Sequence, residues 1–154
     1  MTLRFYGPVI FAEDIGRLKK FYVDILKQEV EHDFKTNIIF KSHLSLWKIR
    51  PDHEIAEIEI QQPKGPGFEL YFETDDIKEL SATIKNSGAR LLHDIKTEPW
   101  GQQTIRFFDP EDNLLEVGEE MPVFVNRIYH ETGSVKATAE KTGIPEPAIK
   151  NMIG

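Results

Sequence analysis

The chain repeats one supersecondary plan twice, and that duplication limits its possible folds more than any other feature. Asp14-Ile15 opens a run with helical spacing, and Asp76-Ile77 opens another. Each run follows an alternating apolar segment, Val9-Ile10-Phe11 in one case and Leu70-Tyr71-Phe72 in the other. Each is followed by further short alternations, split by turn residues. The plan reads β-α-β-β-β, and two such copies that must pair usually leave a cup between the halves.

In the first copy, residues 4–11 alternate as a strand. Asp14 is a helix N-cap, and Ile15, Leu18, Phe21, Tyr22 and Ile25 recur at helical spacing to about Leu26. Three strands follow at 29–33, 37–40 and 44–49. Residues 51–66, with Pro51, Pro63, Gly65 and Pro66, form a connector with one short strand at 56–60. The second copy opens with a strand at 68–72. Asp76 with Glu79 suggests a capping box, Ile77, Leu80 and Ile84 share one helix face, and Gly88 stands at C′. Strands at 91–95, 103–108 and 114–117 complete it, with Asp109-Pro110-Glu111-Asp112-Asn113 as the hairpin turn.

The expected fold is therefore α+β: paired β-α-β-β-β modules at about 3–50 and 67–119, forming a cupped mixed sheet. Residues 1–119 make that domain, and residues 120–154 are a helical appendage with short helices near 123–131 and 134–142 and a third from Pro145.

Composition narrows the function classes. With 154 residues the chain has mass for one good core. The absence of cysteine excludes disulfides, thiolate metal sites and thiol nucleophiles, and fits a reducing cytosol. No apolar run is long enough to span a membrane, and Met1-Thr2-Leu3-Arg4 has no signal-peptide pattern. The net charge of −7 falls entirely on residues 1–119, because the tail carries four acidic and four basic side chains. That balance argues against a nucleic-acid partner. No Gly-x-Ser-x-Gly elbow or glycine-rich phosphate loop is present, so covalent and nucleotide chemistry lack a basis.

Three segments together resemble a known superfamily. They are Phe21-Tyr22 after an Asp-capped start, Phe68-Glu69-Leu70-Tyr71-Phe72-Glu73-Thr74-Asp75-Asp76, and Arg106-Phe107-Phe108-Asp109-Pro110-Glu111-Asp112-Asn113-Leu114-Leu115-Glu116. The resemblance, over about residues 4–119, is to the vicinal oxygen chelate superfamily: glyoxalase I, bleomycin-resistance proteins, fosfomycin-resistance enzymes and extradiol dioxygenases. It implies the paired-module fold and a homodimer with cups at or near the interface. It does not by itself choose between enzyme and binder.

Metal-dependent members place a ligand, usually His or Gln, seven residues before the Asp that opens each helix, and a carboxylate on the last strand of a unit. The resemblance carries those positions to Gly7, Glu69 and Glu116, with a fourth near Leu46 or Trp47. Glycine, leucine and tryptophan cannot ligate, so two carboxylates remain where an open site wants three or four ligands. Glu59 in the connector, or a recruited histidine, is the candidate for a third. Glu116 also has a structural reading: a hairpin symmetric about Glu111 sets Arg106 opposite it as a cross-strand pair. Glu69 is either a ligand-contacting carboxylate or a solvent-side strand residue. His43, His53, His93 and His130 show no paired ligand spacing.

Large aromatics offer a different chemistry. Trp47, Trp100, Tyr71, Phe40 and Phe108 are candidates for a ligand wall, with Glu69, Arg106 and Glu116 as polar points. Pro99-Trp100-Gly101 places a tryptophan in a turn, at a rim or a subunit contact. The departures from the metal pattern resemble the metal-poor, bleomycin-resistance-like branch.

The tail matches the spacing of a helix-turn-helix through Ala139, Gly143 and Ile149. Its neutrality, its shortness and Pro147 inside the second helix favour a packed helical hairpin instead. The leading expectation is a cytosolic, homodimeric binder of a small aromatic or cationic molecule, with no cofactor and no chemical step. The second is a metal-dependent lyase, isomerase or dioxygenase using Ni, Zn, Mn or Fe on Glu69, Glu116 and a recruited Glu59 or histidine. The third is a ligand-responsive regulator using the tail.

Overall fold

Asp14 and Asp76, equivalent in the repeat, both cap helices. The Asp14 carboxylate accepts from Arg17 N, and the Asp76 carboxylate accepts from Lys78 N and Glu79 N. The computed structural model describes residues 3–57 and 67–153, and it falls into two compact units.

The first unit takes residues 1–67 and the turn 109–113. It contains β1 (Val9–Phe11), α1 (Ile15–Asp24), β2 (Val30–Asp33), β3 (Asn37–Phe40) and β4 (Ser45–Trp47). The sheet order is β1-β4-β3-β2, with β1 parallel to β4 and the other pairs antiparallel. Ile10, Leu46, Ile38 and Phe40 form the buried face, covered by Leu18, Phe21 and Tyr22 of α1. Phe40 is fully buried and stacks on Tyr22, so it is core and not a ligand wall. Burial, then the adjacent Asp109, pushes the Tyr22 phenol far above its ordinary value, and its hydroxyl donates to Asp109 Oδ2 at 3.1 Å.

The second unit takes residues 68–108 and 114–154. It contains β5 (Leu70–Thr74), α2 (Ile77–Ser87), β6 (Leu91–Thr97), β7 (Gln103–Phe108) and β8 (Leu114–Glu119), in sheet order β5-β8-β7-β6. Again the first and last strands of the module, β5 and β8, pair in parallel, and the remaining pairs are antiparallel. Ile105, Phe107, Leu115 and Val117 are buried with Ile77 and Ile84 of α2. Three helices follow in the same unit: α3 (Met121–Thr132), α4 (Val135–Thr142) and α5 (Glu146–Met152). Phe124, Val125, Ile128 and Ile149 make their own apolar centre.

The fold is thus α+β, with two β-α-β-β-β modules and C-terminal helices where the repeat placed them. Several details differ from the sequence reading. The first strand is confined to Val9–Phe11, and the strand of the second copy starts two residues late, at Leu70. α1 stops at Asp24. The Asp76 N–H donates to Thr74 Oγ1, so Asp76 and Glu79 do not close a reciprocal box. Glu54–Glu57 is a turn of 3-10 helix where a strand was expected from 56, and residues 58–60 lie outside the described residues. Pro147 sits in the first turn of α5, where it interrupts no intrahelical bond, so it is no obstacle to that helix.

Candidate functional site

Each sheet has one face under its helix and one face turned away from it. In the second unit that open face gathers charge. The registers align Tyr71 of β5, Glu116 of β8, Arg106 of β7 and His93 of β6 in a single row. Side chains in one row of a sheet point to the same side.

Arg106 is the centre of this row. Its Nε donates to Glu69 Oε2 at 3.1 Å and its Nη1 to Glu98 Oε1 at 2.9 Å. Its Nη2 donates to Glu116 Oε2. The Arg106–Glu116 pairing expected from the hairpin is present, both in register and as an ion pair. Glu116 is 5% exposed and Arg106 22%, so the pair is largely withdrawn from water. Burial alone would lower the guanidinium's pKa, but the bonds to Glu98 and Glu69 hold it above its ordinary value. In turn the Arg106 hydrogen bond, against the effect of burial, holds Glu98 below the usual carboxylate range.

The sequence reading missed two partners here. Glu98 is buried at the end of β6, and also accepts from Thr104 Oγ1 at 2.9 Å. His93 Nε2 lies 3.3 Å from Arg106 Nη1, while its Nδ1 lies 2.8 Å from the Asp94 carbonyl. A carbonyl only accepts and a guanidinium only donates, so both contacts are satisfied when Nδ1 carries the ring proton. Alternation could not have placed these two residues, because β6 pairs with register shifts on both sides of His93.

Two rings, Tyr71 in the same row and Trp100, are linked through the Gln102 side chain. Tyr71 is 49% exposed and Trp100 44% exposed. Trp100 Nε1 donates to Gln102 Oε1 at 3.1 Å, and Gln102 Nε2 donates to the Tyr71 hydroxyl at 3.2 Å. Burial raises the Tyr71 phenol above its ordinary value. Gly118 makes the bridge possible: a Cβ there would lie 2.8 Å from both the Tyr71 hydroxyl and Gln102 Nε2. The Trp100 turn closes through Gly101 N donating to the Glu98 carbonyl, with Gly101 at φ +98°. Arg127 of α3 ties the tail to this turn. Its Nη2 donates to the Gly101 carbonyl at 2.8 Å and to Glu119 Oε2 at 2.6 Å.

The first unit offers different chemistry at the equivalent positions. Its row is Val9, Ser45, Ile39 and His32. The counterpart of Glu116 is therefore Ser45, not Leu46 or Trp47 as the sequence spacing suggested. Trp47 has Phe11 and His53 as ring neighbours, with centroids 6.1 and 5.3 Å away. Phe108, in the second unit, has the Arg90 guanidinium 3.5 Å above its ring.

Gly7, the counterpart of Glu69, cannot be replaced by a ligating residue without moving backbone. A Cβ on Gly7 would lie 2.1 Å from the His43 carbonyl oxygen. Among the described residues no group of three or more His, Asp or Glu is arranged to hold a metal ion. Glu59, the expected third carboxylate, lies outside the described residues. No helix among the described residues is long and apolar enough to cross a membrane.

Residues 5–122 match the family of glyoxalase-like domains. A protein of unknown function from Agrobacterium tumefaciens str. C58 is 30% identical, with a TM-score of 0.67 over 79% of this chain and 97% of that one. A lactoylglutathione lyase from Agrobacterium tumefaciens is 21% identical, with a TM-score of 0.58 over 77% of this chain and 95% of that one. A member of the glyoxalase/bleomycin resistance protein/dioxygenase superfamily from Sphaerobacter thermophilus DSM 20745 is 21% identical, with a TM-score of 0.56 over 77% and 98%. At that identity the last two likenesses concern the fold alone. No curated protein matches the chain. The extent of the family match and the repeated β-α-β-β-β modules agree, and the chain belongs to the glyoxalase-like family of the vicinal oxygen chelate superfamily.

Proposed function

We propose that this protein binds a small, flat, cationic molecule on the open face of its second sheet, without a metal ion and without a chemical step. The observation that carries this reading is two half-exposed rings, Tyr71 and Trp100, linked through Gln102, with Tyr71 in the row of a cluster in which three carboxylates face one guanidinium. Rings supply stacking area at low entropic cost, and the excess negative charge favours a cation. The Arg106 fork is already taken by Glu69, Glu98 and Glu116, so it is not the anion-binding group that its type alone would suggest.

The donor set does not suit the metal of the catalytic relatives. Glu69 and Glu116 are both committed to Arg106, and Gly7 and Ser45 stand at the other two positions. A cytosolic homodimer completes the reading, supported by the exposed Leu3, Phe5 and Tyr6, which suit a second copy.

The test is fluorescence titration of the full chain with an acridinium dye and a neutral aliphatic control. We expect saturable quenching by the dye alone, weakened about tenfold by Trp100→Ala with folding intact. Equal affinity in Trp100→Ala would remove that residue from the site. Elemental analysis after incubation with Ni, Mn, Fe and Zn and desalting should leave under about a tenth of a metal per chain. Near-stoichiometric retention would favour the metal-dependent reading instead.

A further inference from the structure

We propose that the C-terminal helices tune the binding site: Arg127 of α3 is a positioning residue that sets the Trp100 turn, and with it the affinity for a flat ligand. This inference rests on the ring-binding reading above and extends it to a residue outside the two rings.

Within the turn itself, Gly101 N donates to the Glu98 carbonyl and Glu98 N to the Gln102 carbonyl, both at 2.8 Å. Pro99 has no N–H to add, and Gly101 sits at φ +98°, which residues with a side chain rarely adopt. α3 supplies further support. Arg127 Nη2 donates to the Gly101 carbonyl at 2.8 Å and to Glu119 Oε2 at 2.6 Å, and its Nε donates to Glu119 Oε1 at 2.8 Å. A Cβ on Gly101 would stand 3.4 Å from Ile128 and 3.5 Å from Phe124, so both side chains lie against that glycine. One guanidinium and two apolar side chains of a single helix thus hold the residue that follows Trp100.

Glu119 carries the same hold to the other side of the ring pair. It is 4% exposed, its Oε2 also accepts from Gln103 N at 2.8 Å, and its carbonyl accepts from Gln102 Nε2 at 2.8 Å. Gln102 is the side chain that bonds both the Trp100 indole and the Tyr71 hydroxyl. Arg127 therefore reaches the rings twice, through Gly101 and through Glu119. Its planar fork bonds a carboxylate and a carbonyl at once, which a single ammonium cannot do with the same geometry. Rings held in place before a ligand arrives lose less freedom on binding, and affinity rises accordingly.

The test titrates the full chain with the acridinium dye, read by the dye's own fluorescence, and follows Trp100 emission of the free protein in a Trp47→Phe background. Arg127→Met should weaken dye binding about five- to tenfold and shift Trp100 emission to the red. The double variant Arg127→Met/Trp100→Ala should bind no more weakly than Trp100→Ala alone, because both changes act through one ring. Additive losses would make Arg127 a general support of the fold and overturn the inference. Ile84→Val, a core loss on α2, should leave dye affinity and Trp100 emission unchanged, and equal effects there would also overturn it. Arg127→Lys keeps a cation beside Glu119 but offers one nitrogen. It should fold and bind the dye roughly threefold more weakly, and it stands in for Arg127→Met if that variant does not fold. Wild-type affinity in either folded variant, or unmoved Trp100 emission, overturns the inference. Wild-type protein that ignores the dye would instead refute the ring-binding reading, while the emission of Arg127→Met would still decide whether Arg127 sets the turn.

Discussion

Two sheets with the same strand order and the same helix cover carry opposite chemistry on their open faces. In the first unit the open face carries no carboxylate in that row: Val9, Phe11 and His32 are exposed, Trp47 and Ile39 half-buried, and Ser45 lies between them. In the second it is charged and cross-linked: Tyr71, Glu116, Arg106 and His93 in the equivalent row, with Glu69 and Glu98 closing on the arginine. The covered faces stay alike, Ile38, Phe40 and Leu46 in one, Ile105, Phe107 and Leu115 in the other. Burial against a helix holds one face of each module to apolar residues. The other face is free to diverge, and that is where function is found.

The largest effect should come from Gly7, the position equivalent to Glu69. Gly7→Ala places a Cβ against the His43 carbonyl and should cost about 3 kcal/mol in denaturant unfolding. A near-neutral Gly7→Ala would mean that the first module could have carried a ligand there after all. Next, Arg106→Ala leaves Glu98 and Glu116 withdrawn from water without their cation, for an expected loss of about 2–3 kcal/mol. Its row counterpart Ile39→Ala should cost only about 1 kcal/mol, since that side chain is half-buried. Equal losses at the two positions would erase the energetic contrast between the faces.

The charged face should also make the protein acid-sensitive. Glu98 is held below its ordinary value of 4.5 by Arg106, so the unfolded chain takes up the proton first as pH falls. Its contribution is complete above 4.5 and is lost as the pH drops through the depressed native value. Unfolding midpoints measured from neutral pH into acid should fall more steeply in wild type than in Glu98→Gln, and parallel curves would count against the pair. The smallest effect belongs to Glu69→Ala. Its carboxylate lies at the exposed edge of the cluster, and the change should be under about 0.5 kcal/mol by the same unfolding assay.

Much of this was legible in the residues because it depends on local rules. Asp14 and Asp76 have the short acceptors that helix starts need, and Gly88, Gly133 and Gly143 all adopt the left-handed φ that ends a helix. The Arg106–Glu116 pair was legible because a tight hairpin fixes its register arithmetically. Glu98 and His93 were not, because the irregular pairing of β6 shifts its side chains relative to β7. Nor could spacing alone show that Ser45, rather than Leu46 or Trp47, answers to Glu116, since parallel pairing to β1 sets that register over a long loop.

The sequence by itself therefore determined the duplicated modules, the helix caps, the C-terminal helices and the missing imidazoles at the family's ligand positions. These follow from periodicity, capping and residue type, all short-range. Only the tertiary structure decided that three carboxylates meet on one arginine, that Gln102 links Trp100 to Tyr71, and that Gly7 has no room for a side chain. Those depend on contacts between residues far apart in the chain, where register and close approach of backbone, not composition, set which groups meet.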